Sequence, residues 1–230
     1  GGSAPAFHLH QPPPSPTSQQ PAWTDDIWAS AKDGSRRVFC NRSLNMGQVS
    51  SVGFDMDYTL AQYKAETFEA LAYRSTLDKL VRYFGYPDFL LDLEFDCSYM
   101  TRGLVIDKRR GNILKVDRHK YVKVAQHGFA QLSREERLTA YHASSAREEF
   151  GEPDFVVIDT LFGLAEAYMF AQLVELKDEK GDARDLGALA EKPYPQVYDD
   201  IRAAVDLCHR DGSLKQAVAD DPAKFIHPDP

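Results

Sequence analysis

One stretch limits what this chain can become more than any other: Val49-Ser50-Ser51-Val52-Gly53-Phe54-Asp55-Met56-Asp57-Tyr58-Thr59-Leu60. A mostly apolar run of this length predicts a buried strand. It stops at two aspartates one residue apart, followed by Thr-Leu. In a parallel α/β sheet the carboxyl end of a strand opens into the crevice where ligands bind, which puts Asp55 at the lip. Backbone N–H groups of the following loop are then available to hold a phosphate. A carboxylate in that position attacks phosphorus and carries the phosphoryl group as an aspartyl-phosphate. The gathered negative charge calls for Mg2+, a hard cation held by one or two carboxylates and by phosphate oxygens. Asp57 is placed to protonate the leaving oxygen and then to activate water. For a bare D-x-D the plain alternative is an Asp-rich turn.

The 230 residues make one large domain or two small ones. No apolar run approaches the roughly 20 residues of a membrane span. A net charge of −8 argues against a general nucleic-acid surface. Cys40, Cys97 and Cys208 lie far apart and match neither a zinc pattern nor a disulfide framework. A reducing, cytoplasmic setting is therefore expected. Residue 1 is Gly, so the sequence reads as a processed or truncated product, and an upstream organellar address stays open.

Residues 1–35 begin as a Pro-, Ser- and Gln-rich tail, expected to be disordered or polyproline-like. Residues 36–75 are expected to be the first segment of a core, 76–220 an inserted cap and 221–230 a tail. Leu77, Leu80, Val81 and Phe84 predict a helix capped by Ser75 or Thr76 and ended by Gly85, while 63–71 shows no decisive period. Residues 103–107 and 112–116 read as a hairpin around Lys108-Arg109-Arg110-Gly111, with 121–125 as a third strand. The basic trio reads as a solvated tip, or alternatively as a contact for a nucleotide effector. Ser133-Arg134-Glu135-Glu136 is a capping box. Residues 155–160 read as a second buried strand, with Asp159 or Thr160 capping a largely apolar helix over 161–176. The charged loop 177–187 is expected to be mobile. In the helix over 197–210, Ile201, Ala204, Val205 and Cys208 form the buried stripe. Arg202, Asp206 and His209 share one edge of it. On the residues alone, an ordinary salt bridge beside an unrelated His competes there with a ligand contact. Ser213 is expected to cap a further helix carrying Lys215.

The string of apolar residues, DxDxT and Leu resembles the first motif of the haloacid-dehalogenase (HAD) superfamily of phosphotransferases. A closer likeness rests on an ordered set of short motifs. They are Arg37-Val38-Phe39, Asn41-Arg42-Ser43-Leu44, residues 53–60, Thr101-Arg102-Gly103-Leu104-Val105, Gly111-Asn112, Leu114-Lys115-Val116-Asp117 and His127-Gly128-Phe129. Asp159-Thr160-Leu161-Phe162, Ile201-Arg202, Ala204-Val205-Asp206 and Gly212-Ser213-Leu214-Lys215 follow. Across 36–215 this set resembles the cytosolic purine 5′-nucleotidase family of the IMP/GMP-preferring type.

The resemblance implies an α/β fold: the N-terminal part of a HAD-like Rossmannoid core with a large inserted α+β cap domain. It implies Asp55 as nucleophile and Mg2+ ligand, and Asp57 as general acid/base with its carbonyl on the metal. Phe162, Arg202, Asp206, His209 and Lys215 then match positions near a purine nucleoside 5′-monophosphate. An aromatic ring stacks on a base, guanidinium and carboxylate read the polar edge of a 6-oxopurine, and Lys attracts phosphate. A nucleotide effector and a homo-oligomeric full-length protein are implied as well. The chain departs from the family pattern at Gly163 and Arg210, which bear on base preference, and at Asp159, which bears on effector control. No apolar strand follows Lys215, and Asp220-Asp221 stands in a polar stretch before Pro222. The expectation is an N-terminal portion, inactive by itself. Phosphate transfer to a nucleoside, a non-catalytic nucleotidase-like scaffold, and a phosphatase for another small molecule remain as alternatives.

Overall fold

The computed structural model describes residues 44–141, 150–179 and 185–228. The Pro-rich tail, the extended piece at 38–40, Cys40 and residues 180–184 of the charged loop lie outside them. The chain divides after Gly53 into two units. Of the first, 44–53 are described. They contain a single 3-10 turn over Met46–Gln48, begun where the Asn45 side chain accepts the Gly47 N–H at 3.1 Å.

The strand expected over 49–54 does not form. Val52 and Phe54 remain 63% and 71% exposed. A strand of the parallel kind needs pairing on its edges and cover on both faces. The strands of the described residues instead pair among themselves, all antiparallel.

In the second unit the longest helix, α1, spans Ala65–Phe84 and so begins well before Ser75 or Thr76. Ala, Glu and Leu favour helix through its first half. Thr76 is tolerated inside it because its hydroxyl donates to the Ala72 carbonyl at 2.8 Å. Gly85 ends it in the left-handed conformation, φ 73°. Glu69, Tyr73, Leu77 and Leu80 form its buried stripe.

Strands β1 (Leu104–Asp107), β2 (Asn112–Val116), β3 (Val122–His127), β4 (Ala130–Gln131) and β5 (Phe155–Val157) make one sheet in the order β4-β3-β2-β1-β5. The β1–β2 hairpin forms as expected, with Asp107 opposite Asn112. The fully buried Asp107 carboxylate accepts the N–H groups of Arg109 and Arg110 at 3.0 and 3.2 Å and the Arg110 guanidinium at 2.9 Å. Lys108 is itself buried and pairs with Glu152 at 2.8 Å. Lys108 and Arg110 are therefore held by ion pairs instead of forming a solvated tip, whereas Arg109 stays exposed there, 3.3 Å from Asp154. β5 is an edge strand, not a buried one, and Val157 stays exposed.

Side chains alternate across the sheet. Ile106 and Ile113 join the helical core, while Val105, Leu114, Val122, Ala125 and Phe155 build a smaller core on the opposite face. Helix α2 (Arg134–Tyr141) opens with the expected capping box: the Ser133 N–H reaches Glu136 at 2.8 Å and the Glu136 N–H reaches the Ser133 hydroxyl at 3.2 Å.

Helix α3 (Gly163–Asp178) is capped by neither Asp159 nor Thr160. The chain leaving β5 is still committed to the sheet there, since the Ile158 N–H donates to the Leu104 carbonyl at 2.9 Å and its side chain is buried. Apolar on almost every side, α3 lies in the core, with Phe170, Leu173 and Val174 fully enclosed. After the short α4 (Ala188–Glu191), helix α5 (Tyr194–Arg210) packs against both α1 and α3. Helices α6 (Ser213–Asp220) and α7 (Pro222–Phe225) complete the unit. Ser213 does not cap α6; Gly212 holds that position and the Ser213 N–H goes to Asp211 at 2.8 Å. Behind α7 the chain returns to the entry of α1, where the Lys64 N–H donates to the Phe225 carbonyl at 2.7 Å. The second unit is thus a mixed α/β structure, with α1, α3 and α5 sharing the larger core on one face of a five-stranded antiparallel sheet and Tyr141 of α2 packed into the smaller core on the other.

Candidate active site

The aspartate pair lies on a tight loop. The amides of Thr59, Leu60 and Ala61 all donate to the Met56 carbonyl, at 3.3, 2.9 and 2.8 Å, and the Tyr58 N–H donates to the Ala61 carbonyl at 2.8 Å. This winding forces Tyr58 to φ 58°, a strained conformation for a side chain of that size. Asp55 and Asp57 are both exposed. The Tyr63 hydroxyl donates to Asp57 at 2.9 Å and fixes its orientation.

Aromatic rings tie this loop to the start of α3. Phe162 stands against Tyr58, Phe68 and Tyr63, with centroids 5.6, 5.9 and 6.3 Å away. On its other side Phe162 lines a cavity of about 140 Å³ between α1, α3 and α5, together with Glu69, Glu166, Arg202 and His209. Glu166 is buried and accepts from the Arg202 guanidinium at 2.6 Å and from the Tyr198 hydroxyl. Arg202 also reaches Asp206 at 3.1 Å. Burial raises Glu69 from the ordinary carboxyl range to about 7. The cavity therefore offers an aromatic wall, one cation, one paired carboxylate and one carboxyl that titrates near neutrality.

Of the residues singled out by sequence, Phe162, Arg202 and His209 meet at this cavity. Asp206 stands behind Arg202 as its ion-pair partner, so the i,i+4 bridge is present as well. Lys215 is exposed on α6 and does not line the cavity, and neither do Asp55 and Asp57. Glu69, Glu166 and Tyr58 were missed. A signal existed for Glu69, which falls four residues before Tyr73 at the head of an otherwise apolar stripe.

Among the described residues no three His, Cys, Asp or Glu side chains gather as a metal cage. Two exposed carboxylates on one turn do suit Mg2+, which keeps several waters and takes only one or two protein carboxylates. No described helix is long and apolar enough to cross a membrane.

The family model for the 5′ nucleotidase family matches residues 38–230. The chain belongs to the 5′ nucleotidase family. This family member is 26% identical over 195 residues to a 5′-nucleotidase domain-containing protein of Dictyostelium discoideum, covering 84% of the chain and 32% of the relative. It is 25% identical over 198 residues to human 5′-nucleotidase domain-containing protein 2, covering 82% and 36%, and the rat protein of that name matches equally, covering 82% and 34%. The chain thus spans about a third of the length of these curated 5′-nucleotidase relatives.

Proposed function

We propose that this chain carries the nucleophile loop and the nucleoside pocket of a Mg2+-dependent 5′-nucleotidase that hydrolyses purine nucleoside 5′-monophosphates. The observation that carries the reading is the packing of the DxDxT loop, through Tyr58 and Tyr63, on the same Phe162 that walls the cavity with Arg202 and His209. Loop and pocket are then neighbours, as a phosphate ester and its nucleoside must be.

In this mechanism Asp55 attacks phosphorus and forms an aspartyl-phosphate while the bond to the nucleoside oxygen breaks. Asp57, oriented by Tyr63, gives that oxygen its proton. It then takes a proton from the water that cleaves the aspartyl-phosphate and releases inorganic phosphate. Mg2+, held by the Asp55 carboxylate and the Asp57 carbonyl, supplies neutralisation of the phosphate charge. Phe162 stacks on the base, Arg202 and Asp206 read its edge, His209 closes the wall and Lys215 draws in the phosphate. The HAD-like core with an inserted cap, a nucleotide effector, a homo-oligomer and a cytoplasmic location belong to the same proposal.

The test is phosphate release from IMP, GMP, AMP and sugar phosphates by the protein at the length made in the cell, with Mg2+ and with EDTA. Purine monophosphates should be the substrates, EDTA should stop the reaction, and Asp55→Asn should lower kcat by at least ~10³-fold. Phosphate release by that variant near the wild-type rate would overturn the assignment.

A further inference from the structure

A run of hydrogen bonds crosses from the β1–β2 hairpin to the end of α3, and its polarity is fixed atom by atom. It starts at Asp107, whose carboxylate accepts from two amides, from a guanidinium and, at 2.8 Å, from the Tyr141 hydroxyl. Burial above all keeps the Tyr141 phenol protonated, and its one proton is committed to Asp107. The Tyr141 oxygen therefore accepts, so the Asn112 atom 2.8 Å away is the amide nitrogen. The Asn112 carbonyl oxygen then faces His127 Nδ1 at 2.8 Å, and Nδ1 must carry a hydrogen. On the far side of the ring Nε2 stands 2.7 Å from an Asp178 oxygen, which already accepts from the Tyr194 hydroxyl at 2.6 Å. Burial and then that bond lift the Tyr194 phenol to about 12, so it too keeps its proton.

Neither neutral tautomer fits this frame. With the hydrogen on Nδ1 alone, the Nε2 lone pair meets a carboxylate oxygen. With it on Nε2 alone, the Nδ1 lone pair meets the Asn112 carbonyl. Turning the Asn112 amide over only moves the clash to Tyr141. One further proton between Nε2 and Asp178 removes every conflict, and imidazole holds it more strongly than a carboxylate does. The surroundings favour a cation. Asp178 is the last residue of α3, where the helix dipole is negative, and Glu175 of the same turn accepts the Phe129 N–H two residues beyond His127. Glu136 of α2 lines the same surface pocket as His127; so does Arg110, whose charge is answered by Asp107. We propose that His127 stands as an imidazolium at neutral pH and latches β3 to the end of α3, a latch that opens when rising pH removes the Nε2 proton. The latch is independent of the nucleotide reading.

The experiment is ring-nitrogen NMR of the assigned His127 signals in the 230-residue chain and in its Asp178→Asn variant. At about pH 7.5 an unperturbed histidine is mostly neutral, whereas His127 should show both ring nitrogens protonated. In Asp178→Asn the carboxamide donates to Nε2 instead, so the ring should become the neutral Nδ1–H tautomer at the same pH. A neutral wild-type ring at that pH overturns the proposal, and the wild-type spectrum decides this even where the variant does not fold. An imidazolium that persists in folded Asp178→Asn overturns it as well, because the carboxylate would not be what holds the proton. As pH is raised further, the backbone amides of Asp178 and Tyr194 should shift with the same midpoint as the ring. Amides that stay still while the ring titrates would show that no contact is released, and the latch would fall.

Discussion

Glu69 occupies a position that the surrounding sequence reserves for an apolar side chain, and the cost shows in its acidity. Burial lifts its pKa to about 7 from an ordinary 4.5, so the folded state prefers the protonated acid. The sign follows from linkage: this contribution to stability is fully present below 4.5 and is lost as pH rises through about 7. Wild-type protein should therefore lose Tm between about pH 5 and about pH 8, and Glu69→Gln should lose distinctly less. Parallel thermal melts across that range check it, and identical pH profiles would refute it. The Arg202 edge was legible because residues four and seven apart share a helix face. Glu166 was not, since its partners Arg202 and Tyr198 sit on another helix and no spacing along the chain announces them. Tyr58 was hidden for a different reason: its surroundings are made by the wound loop and by the rings of Tyr63 and Phe162, which no local spacing announces.

Among the elements, the hairpin and α5 were readable from local pattern, because alternation, a late loop glycine and a clean stripe need no distant partner. The strand over 49–54 was misread because pairing is a property of two segments. The start of α1 was misread because a threonine can satisfy its hydroxyl inside a helix as well as at its end. Gly128, in the His127-Gly128-Phe129 motif, shows what such a motif protects at this scale. It has φ 56°, and a Cβ there would meet the Glu175 carboxylate at 2.2 Å and its Cα at 3.0 Å. Gly103 has φ 90° but open space around it. Gly128→Ala should cost roughly 2–4 kcal/mol, from backbone strain plus overpacking against α3. Gly103→Ala should cost roughly 1–2 kcal/mol, from strain alone. Urea unfolding of the two variants beside wild type measures the difference, and equal costs would show that contact with α3 is not what makes Gly128 necessary.

For the whole molecule the net charge of −8 and two exposed aspartates on the DxDxT loop oppose an anionic ligand. Opposite charge must come with the substrate. Affinity for a purine monophosphate should thus rise with Mg2+ and fall with EDTA, whereas affinity for the unphosphorylated nucleoside should not respond. Titrations of both ligands under both conditions decide it, and an equal response from nucleoside and nucleotide would place the metal elsewhere. One more consequence concerns Phe162, which is a wall of the cavity on one side and the seat of Tyr58 and Tyr63 on the other. An occupant that tilts this ring must also shift the turn bearing Asp57. Thermodynamic reciprocity makes the exchange mutual: whatever factor a nucleoside imposes on phosphate affinity, phosphate returns to the nucleoside. The two halves of one substrate would then bind more tightly joined than the sum of the pieces foretells.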